Sequence, residues 1–231
     1  MEKQKLEQHL AGLVENLVSE LSSEGIDGLS CCFTGHRSQK VPWLADDGDY
    51  RTDRLRVTLK SLIDNLSMRG VTRYIAGNAE GFDTIAAETV LASNGYLETS
   101  KDWEGVPQDW QHPELEIAIP FEGHEGKNQR ALTVQERATV AHVVSNQKKH
   151  ALAFLERNEY MVDHADLVIA LLDQQDQETG KGGTTRTVAY ALEHGKPVVL
   201  FRPSWFEAGW PGTGDISILL PEQLKNSMGH N

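Results

Sequence analysis

The chain has 231 residues and a formal net charge of −12, with 39% hydrophobic and 24% charged residues. This length and composition are typical of a globular protein that buries the core of one α/β domain with a small extension. The acidic balance argues against general nucleic-acid binding, which needs a basic face. A few arginines and backbone amides can still hold a small phosphorylated ligand on such a protein.

The N-terminal sequence MEKQKLEQHL lacks the apolar segment of a secretory signal. No apolar run approaches the roughly 20 residues that span a bilayer, so we expect a cytoplasmic protein without membrane contact. Cys31 and Cys32 are adjacent in a predicted strand. Their side chains should therefore point to opposite faces, which disfavours a disulfide and favours buried structural thiols.

Residues 4–21 carry leucines at spacings of three and four, which predicts an amphipathic N-terminal helix within an extension of residues 1–28. The leucine stripe either docks on the main domain, which we favour, or pairs with a second copy in a homo-oligomer. The pattern of the rest of the chain predicts alternating strands and helices. Its first half has strands at 29–34 and 72–76, helices at 52–68 and 83–93, and an inserted surface loop at 97–113. Its second half has strands at 115–120, 167–173 and 198–201, helical stretches to 164 that break near 150, a turn at 174–183, a helix at 184–194 and a C-terminal tail at 203–231 of unclear course.

The alternation of strands and helices over residues 29–202 predicts a Rossmann-like three-layer α/β sandwich, with a mostly parallel sheet between helices. In such sheets ligands bind beyond the carboxyl ends of the strands, near the point where strand order reverses. Three glycine-containing segments follow predicted strands: TGHR at 34–37, GNAEGFD at 77–83 and GKGGTTRT at 180–187. Glycines allow close backbone approach and helix N-termini offer free N–H groups, so the three segments together favour an anion site over ordinary turns and caps.

The strand ends supply a set of candidate ligand-binding residues. His36 is a candidate catalytic group or metal ligand, although we favour a hydrogen-bonded structural histidine. Asp173 either holds a ribose hydroxyl or caps a turn. We expect Asp83, at a helix N-terminus, to be ionised with a lowered pKa. Neither HExxH, GxxxxGK[ST] nor GxGxxG occurs, so we expect no metal and no cofactor. The candidates are Thr34, Gly35, His36, Arg37, Gly77, Asn78, Gly81, Asp83, Asp173, Gly182, Gly183 and Thr184.

The order of motifs resembles a known family. The segments FTGHR, AGNAEGFDTIAAE, IPFEG, RNEYMVDHADLVIALLD and GGTTRTVAYALEHGKPVV span residues 29–202 and resemble the YpsA-like, TGHR-containing branch of the SLOG superfamily. This resemblance implies a Rossmann-like fold and a nucleotide or nucleotide-derived ligand, bound in a sensor, carrier or sequestering role. The superfamily also includes DprA-like proteins and the LOG phosphoribohydrolases, which release a base from a nucleoside monophosphate.

A comparison with the LOG enzymes distinguishes binding from catalysis. Arg157 matches the arginine of their RKxxM segment, and Gly182 and Gly183 match the glycine pair of PGGxGTxxE. The position of their catalytic glutamate falls on Ala189, so the resemblance implies an anion site without its carboxylate. We therefore favour nucleotide binding, with an N-glycosidase or phosphoribohydrolase that uses Arg157 and Asp83 as the alternative. A regulator that acts by protein contact through the N-terminal helix is a third hypothesis.

Overall fold

The computed structural model describes residues 2–22, 28–99, 113–124, 128–207 and 216–221. One seven-stranded sheet of order β4-β3-β2-β1-β5-β6-β7 organises these residues, and only the β6–β7 pair is antiparallel within them. The predicted Rossmann-like α/β fold is thereby confirmed. The strands are β1 (Leu29–Gly35), β2 (Val71–Ala76), β3 (Glu114–Ile119), β4 (Val140–Val143), β5 (Leu167–Leu171), β6 (Val198–Phe201) and β7 (Ser217–Leu219).

Helices cover both faces of the sheet, and each face has its own apolar cluster. Cys31 belongs to one cluster and Cys32 to the other, so the two adjacent thiols are free and point to opposite faces as expected. No helix among the described residues is long and apolar enough to cross a membrane. The helices are α1 (Glu2–Ser22), α2 (Tyr50–Ser67), α3 (Phe82–Thr99), α4 (Gln129–Arg137), α5 (His150–Asp163), α6 (Gln174–Thr179) and α7 (Gly183–Glu193).

The N-terminal helix α1 packs on the domain through its leucine stripe. Leu6, Leu10 and Leu17 are fully buried and belong to the larger apolar cluster, in which α1 contacts α2. The apolar face that the sequence predicted is therefore covered by the chain itself.

Three elements differ from the sequence-based expectations. The stretch predicted to be helical up to residue 164 contains the edge strand β4 between α4 and α5, and the turn predicted at 174–183 contains the short helix α6. Helix α3 runs to residue 99, and the rest of the predicted surface loop lies outside the described residues. The tail adds a short 3₁₀ turn and β7.

The position of β1 sets the place of the site. The chain runs from β1 outward to β2, β3 and β4 on one side, and then returns to place β5 on the other side of β1. Strand order therefore reverses between β1 and β5, whose pairing extends to Gly35 and Leu171. A crevice at the carboxyl ends of these two strands is the expected ligand position in this architecture.

Candidate functional site

A crevice of about 410 Å³ lies at the carboxyl ends of β1 and β5. Its volume falls within the range of roughly 300–1,000 Å³ common for small-molecule sites. Most of the candidate residues that the sequence predicted line it. The lining consists of Thr34, Gly35, His36, Arg37, Gln39, Lys40, Ala79, Asp83, Phe154, Arg157, Asn158, Asp176, Gly182, Gly183 and Thr184.

His36 holds the loop after β1 against its neighbours. Its Nε2 accepts a hydrogen bond of 2.8 Å from the backbone N–H of Asp173, and its carbonyl accepts one of 3.2 Å from Phe82 N–H. Nε2 is an acceptor here, so the ring is neutral with its proton on Nδ1. Burial and the nearby Lys40 ammonium both lower the pKa of His36, which favours this neutral form. These contacts show the structural role that the sequence left open.

Two glycines allow the loops after β1 and β2 to approach closely. A Cβ on Gly35 would lie 2.4 Å from the ring of Phe82, the first residue of α3. Gly81 has φ +107°, and a Cβ there would lie 2.8 Å from the Cα of Arg37. Side chains at either position would therefore push the two loops apart. The close contact with Phe82 is a packing reason for the glycine in FTGHRS, separate from its predicted part in ligand binding.

The guanidinium of Arg157 lies at the base of the crevice and is only 4% exposed. Its Nε and Nη1 have no hydrogen-bond partner within the described part of the chain. Asp83 Oδ2 lies 3.7 Å from Nη1, an ion-pair distance without a hydrogen bond. A Cβ on Gly77 would lie 1.3 Å from Nη1, so only glycine leaves room for this arginine.

Asp83 does not have the lowered pKa that its place in the first turn of α3 predicted. Burial raises the pKa of its carboxyl from 3.8 to about 6, against the opposing effects of the Arg157 and Arg37 guanidiniums. Desolvation disfavours the charged form more strongly here than the helix N-terminus and the cations favour it. Asp83 therefore changes its charge about one pH unit below neutral, and the expectation of a lowered pKa is wrong.

The N-terminus of α7 forms another side of the crevice. Gly182 caps the helix in a conformation with φ +100° and offers no side-chain hydrogen bond to the first turn. The first amides of α7 are thus uncapped by any side chain, and they carry the positive end of the helix dipole. Asn158 Nδ2 donates a 3.0 Å hydrogen bond to Thr187 Oγ1, which fixes α5 against α7.

Several functional-looking side chains were not predicted from the sequence. Lys40 forms an ion pair with Asp176 at the rim of the crevice. The guanidinium carbons of Arg37 and Arg157 lie 5.2 and 5.9 Å from the ring centroid of Phe154, so one aromatic ring contacts two arginines. A phenylalanine on a helix face is indistinguishable from a core residue in sequence, and only the fold reveals its place.

Other predicted positions lie outside the crevice lining. The carboxylate of Asp173 caps α6 by accepting a 2.8 Å hydrogen bond from Gln175 N–H, the capping alternative that the sequence left open. Gly77 and Asn78 line an adjoining cavity of about 220 Å³. Ala189, at the position of the LOG glutamate, is exposed and does not line the crevice. A carboxylate at that position would therefore not reach a ligand there.

The crevice combines the buried guanidinium of Arg157, the exposed side chain of Arg37, helix-terminal amides and a carboxyl that titrates near neutral pH. This set can hold an anion and exchange a proton beside it. Together with the strand order, it defines a Rossmann-like protein with a polar crevice at its topological switch point.

A comparison with known protein families identifies the family within this class of Rossmann-like proteins. The model of the YpsA family, described as the YspA SLOG family, matches residues 31–205. The match covers well over half of the chain, and the chain belongs to this family. The resemblance inferred from the TGHR and glycine-rich motifs is confirmed. No curated protein sequence matches the chain.

Proposed function

We propose that the crevice binds a nucleotide or nucleotide-derived ligand, with a phosphate on Arg157. The observation that carries this proposal is the buried guanidinium, whose Nε and Nη1 have no hydrogen-bond partner among the described residues. Buried charged donors without acceptors are costly, and phosphate oxygens match the fork of arginine donors. Membership of a SLOG family supports a nucleotide as the source of that phosphate.

The N-terminus of α7 is the second support for a phosphate at this place. The crevice is lined by Gly182, Gly183 and Thr184 as well as by Arg157. Amides in the first helical turn donate toward an anion, and the Thr184 hydroxyl adds a further donor. A phosphate between α7 and Arg157 would be neutralised from both sides.

A binding role is favoured over catalysis because the position of the LOG-type glutamate is exposed and outside the crevice. The ligand would then be sensed, carried or sequestered rather than converted.

The second candidate function is hydrolysis of an N-glycosidic bond in a nucleotide. The specific observation in its favour is Asp83, a crevice carboxyl whose pKa burial raises to about 6. A group with this pKa is partly protonated near neutral pH and is suited to general acid–base catalysis. Arg157 would hold the phosphate of the substrate in this case as well.

Calorimetric titration with nucleoside monophosphates, ADP-ribose and NAD tests the proposal. We expect at least one of them to bind, and Arg157→Lys to weaken its binding by roughly 1–3 kcal/mol, the range for hydrogen bonds to charged groups. Arg73→Lys is the matched control, because Arg73 pairs with Glu116 on β3 and does not line the crevice. Unchanged affinity in Arg157→Lys would contradict the proposal, and chromatographic detection of released base would establish hydrolysis.

A further inference from the structure

We infer that the cavity beside the crevice is the subsite for an adenine base, an inference that rests on the proposed function. This cavity of about 220 Å³ shares Arg37 and Ala79 with the crevice. Gly77, at the end of β2, lines it and directly adjoins the Arg157 guanidinium. A nucleotide with its phosphate on Arg157 therefore has a neighbouring space for its other end.

The walls of this second cavity suit a flat heterocycle. Its apolar side is formed by Ile117 and Ile119 at the end of β3, followed by Pro120. Two amide side chains also line this cavity, those of Asn128, the N-cap of α4, and of Gln135 within α4. Apolar walls pack on the faces of a base, while amides recognise its edge by hydrogen bonds.

Gln135 is the cavity amide whose donor and acceptor are both unused by the described residues. Asn128 already uses its Oδ1 to cap α4, with a 2.9 Å hydrogen bond from Arg130 N–H. Asn78 uses its Nδ2 to donate to Ala131 O at 2.7 Å and keeps only its Oδ1, an acceptor without a partner among the described residues. The side chain of Gln135 makes no hydrogen bond to another described residue, so it keeps both an acceptor and a donor. This pair complements the amino group and adjacent ring nitrogen of adenine.

An aromatic wall connects the linings of the two cavities. The rings of His124, which lines the second cavity, and Phe154, which lines the crevice, have centroids 5.1 Å apart. Phe121 extends the wall by stacking on His150 at 4.1 Å. Aromatic rings beside a base add stacking contacts. The ligand class that fits both cavities is an adenine nucleotide whose ribose passes Arg37.

Calorimetric titration with ribose 5-phosphate, AMP and UMP tests this assignment. We expect AMP to bind at least tenfold tighter than either of the other two ligands. Gln135→Leu should remove this tenfold advantage while the affinity for ribose 5-phosphate stays unchanged. Gln129→Leu is the control, because Gln129 is an exposed residue of the same helix that does not line the cavity.

The outcomes separate this inference from the proposed function. If ribose 5-phosphate and AMP bind equally and Arg157→Lys weakens both, the base subsite is wrong and the phosphate site stands. Equal binding of AMP and UMP, or an AMP affinity that Gln135→Leu leaves unchanged, overturns the adenine assignment. If none of the three ligands binds, the adenine inference is overturned, and the titrations with ADP-ribose and NAD then decide the proposed function.

Discussion

Protonation of Asp83 should control the affinity of the crevice for anions. The Asp83 carboxyl lies 3.7 Å from Arg157 Nη1 and has a pKa of about 6. When ionised, it neutralises the guanidinium and repels a phosphate; when protonated, it leaves the positive charge for the ligand. Affinity for an anion should therefore rise as the pH falls.

The size of the effect follows from the population of the protonated form. Above the pKa of about 6, this population falls tenfold for each pH unit. The protonated form makes up about one half of the protein at pH 6 and about one hundredth at pH 8, so a ligand that binds only this form should lose about 50-fold in apparent affinity between these pH values.

ADP-ribose titrated by calorimetry between pH 5.5 and 8 measures this dependence, because its pyrophosphate keeps its charge over that range. Asp83→Asn should bind with the same affinity at every pH, at the level that the wild type reaches in acid. The other groups that face Asp83 are the Arg157 and Arg37 guanidiniums, which stay charged, and the Cys32 thiol, whose pKa burial raises. A flat wild-type profile, or a pH dependence that persists in Asp83→Asn, would refute the reasoning.

Three further predictions concern protein stability and the residues Asp83, Gly35 and Gly81. Because burial raises the pKa of Asp83 from 3.8 to about 6, its contribution to stability is complete below pH 3.8 and is lost as the pH rises through 6. Between pH 4 and pH 7, the free energy of unfolding of the wild type should therefore fall by about 2 kcal/mol more than that of Asp83→Asn, and equal falls in the two proteins would contradict this. Gly35→Ala should lower the free energy of unfolding by about 1–3 kcal/mol, because the added Cβ overpacks against Phe82. Adding Phe82→Leu should restore part of this free energy, and no restoration would exclude the Phe82 contact as the cause. Gly81→Ala should lower the free energy of unfolding by more than about 1 kcal/mol, because alanine is strained at the positive φ of this residue. Urea denaturation measures this loss, and an unchanged free energy of unfolding would contradict the positive φ.

The sheet and its long helices could be predicted because buried strands and buried helix faces leave a regular pattern of apolar residues in the sequence. The strand β5 is buried at every residue and reads as a continuous apolar run. The edge strand β4 could not be predicted, since Val140 and Val143 are exposed and its sequence shows no alternation of apolar and polar residues. Helix α6 has six residues and none is buried, so it shows no apolar period.

The candidate site could be predicted only where glycine or a family motif marks it. The segment 34–37 and the three residues 182–184 of the segment 180–187 line the crevice, and Arg157 was found through its family motif. The second cavity takes its lining from β3 and α4, where residues such as Gln135 carry no motif and only the fold brings them together. The pKa of Asp83 was mispredicted because its burial, which outweighs the helix terminus, is a property of the packed structure.

A crystal structure of the chain with bound AMP tests the central claim most directly. We expect phosphate oxygens at roughly 2.7–3.2 Å from the Arg157 guanidinium nitrogens and from the amides of Gly183 and Thr184. A phosphate bound elsewhere on the protein, with Arg157 still facing only Asp83, would contradict the account.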